Sequence, residues 1–324
     1  MFNVSQRTGH LRVAGFAFIA LISGCASTPQ TDRLLESIPT VLQQPMELTH
    51  VAFFPQAAYQ CGPASLAMVL NAHDHTLQPD QLTGEVFIPD LKGSLQPELL
   101  AATRRHGYIP YVLRPELAEV LLEVRDGRPV LILQNLGLSW LPQWHYAVIV
   151  GYDLQQQRLV LRSGLEARHE VGMQTFERTW VRGKRWAMVV LKPGELPSQA
   201  EEWRYIQAIV GLEKLQRWEA LRVAYATGLT QWPDSLELRM GLGNLYFLRG
   251  DKQAALQEYL GLLARAPDYA PALNNLAQVY ADLGQLQQGL VHAEHAVRVG
   301  GVHAELYLST LNEIRVKLGR LPQP

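Results

Sequence analysis

The chain has 324 residues and a formal net charge of −1, which leaves neither a basic field for nucleic acid nor an acidic tail. An apolar share of 48% with seven tryptophans excludes a disordered chain, and the length suffices for two domains and a tether. Only two cysteines occur, Cys25 and Cys61.

Arg7, His10 and Arg12 make a positive start, followed by the apolar run Val13 to Ile22. A membrane-spanning helix takes about 20 residues, so this run is too short to span and reads as an export signal. The segment Leu21-Ile22-Ser23-Gly24-Cys25 resembles the lipobox of bacterial lipoproteins. That resemblance implies removal of residues 1–24 and diacylglyceryl attachment to the Cys25 sulfur, an anchor strong enough for stable membrane residence. Ser27, not an acidic residue, follows the anchor. By the sorting pattern of such lipoproteins, the expected location is the outer membrane, facing the periplasm. Residues 25–45 read as the lipidated cysteine and a polar tether.

From 46 to 195 the pattern is that of an α+β domain. Leu48 to Phe54 has strand-like content, and a helix is expected from Gly62 to Ala72 with Pro63 in its first turn, where a missing N–H is harmless. Gly93 to Leu100 opens another helix that should stop at Gly107. Strands are expected at Pro129 to Gln134, Tyr146 to Tyr152, Arg158 to Arg162 and Trp186 to Leu191, the second and third joined by a turn at Asp153 to Gln157.

After Pro193 apolar residues recur at helical spacing to the end, so 196–324 reads as an all-α domain. Trp232-Pro233-Asp234 returns as Ala266-Pro267-Asp268, Gly243 and Tyr246 return as Ala277 and Tyr280, and Ala255 and Tyr259 match Gly289 and Ala293, a period of 34 residues. The pattern resembles the tetratricopeptide repeat, with a degenerate first unit near 200–233 and a capping helix from Val302 to Leu318. Such stacks imply a concave surface for peptide or protein partners.

Cys61 carries the chemistry. If Cys25 is lipidated, Cys61 has no partner for a disulfide, and an exported lone thiol invites a functional explanation. It stands where a helix begins, and a helix N-terminus stabilises a thiolate, as would a neighbouring imidazolium. His145, at the head of the apolar strand His145-Tyr146-Ala147-Val148-Ile149-Val150, is the candidate for that base.

Gln56…Tyr59-Gln60-Cys61-Gly62-Pro63-Ala64, taken with His145 to Asp153, resembles the C39 family of papain-like cysteine peptidases, which includes domains that trim double-glycine leaders. The resemblance implies a papain-like fold over roughly 46–192, with Cys61 as nucleophile and His145 as general base and then acid. It also implies that Gln56 joins the Cys61 backbone N–H in holding the oxyanion, although it lies five residues before the cysteine rather than the family's six. The family's third member is an aspartate or asparagine; Leu161-Arg162-Ser163-Gly164 occupies that place, making Ser163 the candidate. The expected function is a membrane-anchored periplasmic cysteine peptidase acting on a peptide or protein, with double-glycine sites as one substrate type, without cofactor or metal. The alternatives are a weak or inactive peptide-binding scaffold and a cell-wall amidase or endopeptidase.

Other polar groups read more simply. His73-Asp74-His75 reads as a polar helix end rather than a metal site, Asp153 as a turn residue, and His106 as a helix C-terminal residue. His292, His295 and His303 read as solvated.

Overall fold

The computed structural model describes residues 27–319 except Ala57, Ala58 and Asp74; the expected signal segment and Cys25 lie outside the described residues. Residues expected to form the tether are folded where described. Helix α1 (Pro29–Glu36) buries Thr31 and Leu34, and the chain then buries Leu42 in a short 3-10 turn. The first turn of α1 leaves backbone N–H groups without internal acceptors. A buried carboxylate supplies the acceptors: Glu177 takes hydrogen bonds from Gln30 N at 3.1 Å and Thr31 N at 2.8 Å. Glu177→Ala should therefore cost about 2–3 kcal/mol and expose residues 37–45 to proteolysis, whereas Glu177→Gln, keeping an acceptor, should cost less. Thermal melts and limited proteolysis check this.

The central sheet is antiparallel throughout. Strand β1 (Met46–Glu47) is followed by the helices α2 (Cys61–Asn71) and α3 (Pro79–Val86). A small ribbon of β2 (Phe87–Ile88) and β3 (Gly93–Ser94) leads into α4 (Gln96–Arg105), which His106 ends and Gly107 leaves at φ +86°. Strand β4 (Ile109–Val112), α5 (Leu117–Arg125), β5 (Val130–Asn135), β6 (Trp144–Asp153), β7 (Arg158–Ser163), β8 (Glu166–Gly172), α6 (Met173–Arg182) and β9 (Ala187–Leu191) complete the region. The strand order is β4-β9-β5-β6-β7-β8, with β1 beside β6.

Leu48 to Phe54 is not a strand. Strand β5 pairs with β6 from Trp144 to Ile149, so the edge of β6 on that side is free only beyond Ile149. There β1 fits two residues, Met46 opposite Tyr152 and Glu47 opposite Gly151. Gly151 permits the approach, since a Cβ there would stand 2.7 Å from the Met46 carbonyl oxygen. After one more bond, Leu48 N to Val150 O at 2.8 Å, the chain turns away with Val51 buried.

The helical region keeps the expected period. Helices α7 (Glu202–Ile209) and α8 (Trp218–Gln231) form the irregular first unit, followed by α9 (Leu236–Leu248), α10 (Lys252–Leu263), α11 (Ala270–Asp282), α12 (Leu286–Val299) and α13 (Ala304–Lys317). From α9 to α11 and from α10 to α12 the starts advance by 34 residues (270 − 236 and 286 − 252). Small residues sit where paired helices cross: a Cβ on Gly243 would lie 2.6 Å from the Tyr259 ring. The core runs without a break from the sheet through Tyr205, Leu221 and Tyr225 to Leu245.

Candidate active site

Helix α2 is apolar all round and buried from Gly62 to Leu70, as befits a helix inside the core. Its first residue, Cys61, is a free thiol that is partly exposed. Gly62 lets the ribbon close on the helix start, because a Cβ there would collide with Ser94 Oγ. That hydroxyl is buried without a hydrogen-bond partner.

Strand β6 approaches the same helix end. The Cys61 thiol is hydrogen-bonded to the backbone of Tyr146, the neighbour of His145, as well as to the Gly62 and Cys61 backbone. His145 Nε2 lies 2.8 Å from the hydroxyl of Ser163, the last residue of β7. Cys61 and His145 are not hydrogen-bonded to each other. The structure thus brings together three of the sequence candidates at one end of the sheet, with Ser163 in contact with the imidazole.

Gln56 is also here, held inside the protein. Its Nε2 donates to Ser65 Oγ at 3.0 Å and to Tyr146 O at 3.3 Å, and its Oε1 accepts from Gly164 N at 3.0 Å. Gln56 N donates in turn to Gly164 O at 2.9 Å. Both amide hydrogens are therefore engaged, and Gln56 ties helix α2, strand β6 and the turn after β7 into one unit. Gln60 accepts from Thr83 at 3.1 Å through its side-chain oxygen.

Electrostatics differ from the expectation of a thiolate–imidazolium pair. Burial pushes the Cys61 thiol up, against the opposing pull of the backbone hydrogen bonds. Burial lowers His145 to about 4, and the nearby His169 acts in the same direction. The resting site holds a neutral thiol beside a neutral imidazole. The Tyr146 phenol is pushed up by burial and then by Cys61.

Alkylation of Cys61 by iodoacetamide should therefore rise steadily through the alkaline range with no thiolate plateau between roughly pH 5 and 8. A bell-shaped or plateaued labelling curve would contradict the neutral pair. A histidine held neutral by the fold binds its proton first in the unfolded chain, so its contribution is present above roughly pH 6.5 and is lost as pH falls toward 4. The total is about 3 kcal/mol, and it should be missing from the acid limb of the His145→Gln stability curve.

His169, on β8, was not among the sequence candidates. The strand that carries it, Glu166–Gly172, is an exposed sheet edge rich in charge, so the apolar alternation that marks a half-buried strand is absent. Gly93 and Ser94, expected to open a helix, form strand β3 instead, and the helix begins at Gln96.

The remaining polar candidates lie elsewhere. Asp153 Oδ1 accepts from Gln156 N at 3.0 Å within the hairpin turn. His73 is buried with Nε2 2.9 Å from Val190 O, and His106 meets Glu85 at 3.0 Å. Asp74 is outside the described residues. His292 is not simply solvated: it stacks on Tyr280, with ring centroids 5.4 Å apart. His295 meets Asp268 at 2.8 Å.

Residues 48–188 match the model of the Peptidase_C39 like family. The match spans β5 to β7, helix α2 and every candidate residue from Gln56 to Ser163. Among solved structures, the chain is similar to a C39-like peptidase from Bacillus anthracis, with 21% identity over 46% of this chain and 98% of that one and a TM-score of 0.39. The helical region is similar to MamA, with 16% identity over 37% of this chain and 70% of that one at a TM-score of 0.34. It is also similar to a tetratricopeptide-repeat protein of Thermus thermophilus, with 23% identity over 37% and 67% of the two chains at a TM-score of 0.34. Among curated proteins none matches. The architecture is a C39-like α+β domain with an antiparallel sheet, followed by a tetratricopeptide-like helical region.

Proposed function

We propose that the C39-like domain is a cysteine peptidase in which Cys61 attacks a peptide carbonyl and His145 moves the protons. The observation that carries this reading is the placement of the free Cys61 thiol against the backbone of Tyr146, beside a histidine whose ring is held by Ser163. In this scheme His145 takes the tautomer that donates from Nε2 to Ser163 Oγ, 2.8 Å away, so that Nδ1 is the basic nitrogen. Because thiol and imidazole are both neutral at rest, proton transfer accompanies attack instead of preceding it. The new C–S bond places charge on the carbonyl oxygen, where the Cys61 and Gly62 backbone N–H groups, which face the sulfur at rest, can receive it. Protonated His145 then gives its proton to the leaving amine, and water releases the thioester with His145 again as base.

Ser163 is a positioning residue in this scheme. Ser163→Ala should lower kcat by about 10-fold or more with little change in KM. Ser163→Asp should restore imidazolium stabilisation and move the acid limb of the pH–rate profile above its expected place near 4. An unchanged acid limb in an active Ser163→Asp enzyme would remove Ser163 from this role.

The wider setting belongs to the same proposal: anchoring through lipid on Cys25 in the outer membrane, facing the periplasm, with the helical repeats recruiting a protein substrate or partner. Palmitate labelling of the wild type and Cys25→Ala, followed by membrane fractionation, tests the anchor. Comparing muropeptides with double-glycine peptides separates a peptidase from a cell-wall amidase. A scaffold reading is favoured by one observation, the uncharged Ser163 as the hydrogen-bond partner of His145. Thiol-probe labelling of Cys61 that does not depend on His145, with no cleavage of either substrate class, would favour it.

A further inference from the structure

Beside His145 lies a cavity of about 390 Å³, enclosed by β5, β7, β8 and α6 and bordered by His145 and Ser163 but not by Cys61. Its size falls within the range of ligand pockets, about 300 Å³ and upward. Resting on the peptidase reading, the chemistry assigns it a side of the substrate. His145 must reach the leaving amine, so the part of the substrate carrying that nitrogen lies on the histidine's side of the scissile bond. The space beyond His145, away from the thiol, receives that part.

The lining indicates which side chain fits. Leu161 and Val171 contribute to its apolar wall, and Leu136 and Leu165 stand at its rim, 45% and 78% exposed. Two of its polar side chains, Gln134 and Thr179, are paired with each other. Gln134 Nε2 donates to Thr179 Oγ1 at 2.6 Å, and Thr179 donates to Phe176 O at 2.8 Å. Glu166 and His169, which also line the cavity, lie 3.0 Å apart. A negatively charged substrate side chain would meet the Glu166 carboxylate, and a charge of either sign buried against Leu161 and Val171 leaves water at a cost in free energy.

One side of the rim is braced by hydrogen bonds. The hairpin between β5 and β6 is pinned by Asn135 Oδ1, which accepts from Gly137 N at 2.9 Å and Gln143 N at 2.8 Å. That hairpin carries Leu138, Trp140 and Leu141, 56%, 78% and 63% exposed, so the apolar surface continues outward from the cavity. A hairpin backbone braced in advance lowers the ordering cost of binding.

The geometry points to this cavity as a specificity subsite that takes a large apolar side chain, such as leucine, phenylalanine or methionine, from the first or second residue after the scissile bond. The pocket and the nucleophile would then select a substrate from opposite sides of the cut.

The test is cleavage-site profiling. The full-length protein is incubated with a proteome-derived peptide mixture, and the new N-termini that Cys61→Ala fails to produce are sequenced by mass spectrometry. Large apolar residues should be enriched roughly 10-fold at one of the first two positions. Leu165→Asp places a charge on an exposed rim position that folding does not require, and Thr175→Trp fills the cavity from the exposed side of α6. Leu165→Asp should collapse the apolar enrichment and favour lysine or arginine, and Thr175→Trp should shift the preference to glycine and alanine. Cys61-dependent cleavage with a flat profile at both positions would overturn the subsite while leaving the peptidase reading intact. No Cys61-dependent cleavage would overturn the peptidase reading, and the subsite with it. If Leu165→Asp instead weakens binding to phosphatidylglycerol-containing vesicles and leaves the cleavage profile unchanged, the rim belongs to a bilayer surface and the subsite is likewise overturned.

Discussion

Cys61→Ala is expected to abolish peptide cleavage, and His145→Ala to lower kcat by about 1,000- to 10,000-fold, while neither moves the melting temperature by more than a few degrees. The physical ground is the division of labour at the site. Without the sulfur there is no acyl intermediate, so only background hydrolysis by bound water is left. Without the imidazole, a thiol that burial keeps protonated must ionise unaided in a place that disfavours its charged form. Because the resting pair is neutral, the loss in His145→Ala should shrink as pH rises and the thiolate forms by itself. A preformed ion pair is told apart by alkylation of the wild type, where its thiolate gives a plateau below neutral pH. Measuring kcat from roughly pH 5 to 10 for wild type and His145→Ala checks that the loss narrows as pH rises. Equal losses at all pH values would refute the neutral-pair reading, and no loss at all would refute His145 as base.

Gln56→Ala should be the second large effect, and its stability readout separates two roles for one residue. A residue that only donates to an oxyanion can be truncated at little cost to the fold, with a loss of about 100- to 1,000-fold in kcat. Gln56 is buried and makes three side-chain hydrogen bonds. Removing it leaves Gly164 N–H without its acceptor and the Tyr146 carbonyl and Ser65 hydroxyl without a donor. Such groups cost about 1–3 kcal/mol each when buried and unpaired, and partial access of water lowers the sum to about 3 kcal/mol. Activity should fall as well, because Tyr146 and Gly164 flank His145 and Ser163 and lose a common brace. Gln56→Glu retains the acceptor for Gly164 N and loses the donors, so its melting temperature should lie between those of Gln56→Ala and wild type. A Gln56→Ala protein with wild-type stability and a large kcat defect would return this side chain to the oxyanion role.

Much of the fold was legible because it rests on local patterns. Alternation and β-branched content marked β5, β6, β7 and β9 to within about two residues, and the recurrence of Gly243, Tyr246 and Tyr259 marked the repeat period. Strand β4 was hidden because Pro110 interrupts it, which an edge position tolerates since a missing N–H can face outward there. The helix α1 was hidden for a different reason. Its sequence Pro29 to Glu36 is polar, and what stabilises it is the Glu177 carboxylate, 147 residues away from Gln30.

The opening feature of the chemistry, a lone cysteine at the head of a helix with a histidine heading a distant strand, is determined by the sequence itself. Residue identity and periodicity are enough to place each on its element. What the tertiary structure alone decided is the state and partners of those groups. Burial, which depends on what packs around a residue, turns the expected thiolate–imidazolium pair into neutral thiol and imidazole. The pairing of β6 with β7 sets Ser163 against His145, and the contacts of Gln56 with Tyr146 and Gly164 convert an expected donor into a brace. Protonation and hydrogen-bond partners are properties of surroundings assembled from distant segments, and no local pattern in the chain encodes them.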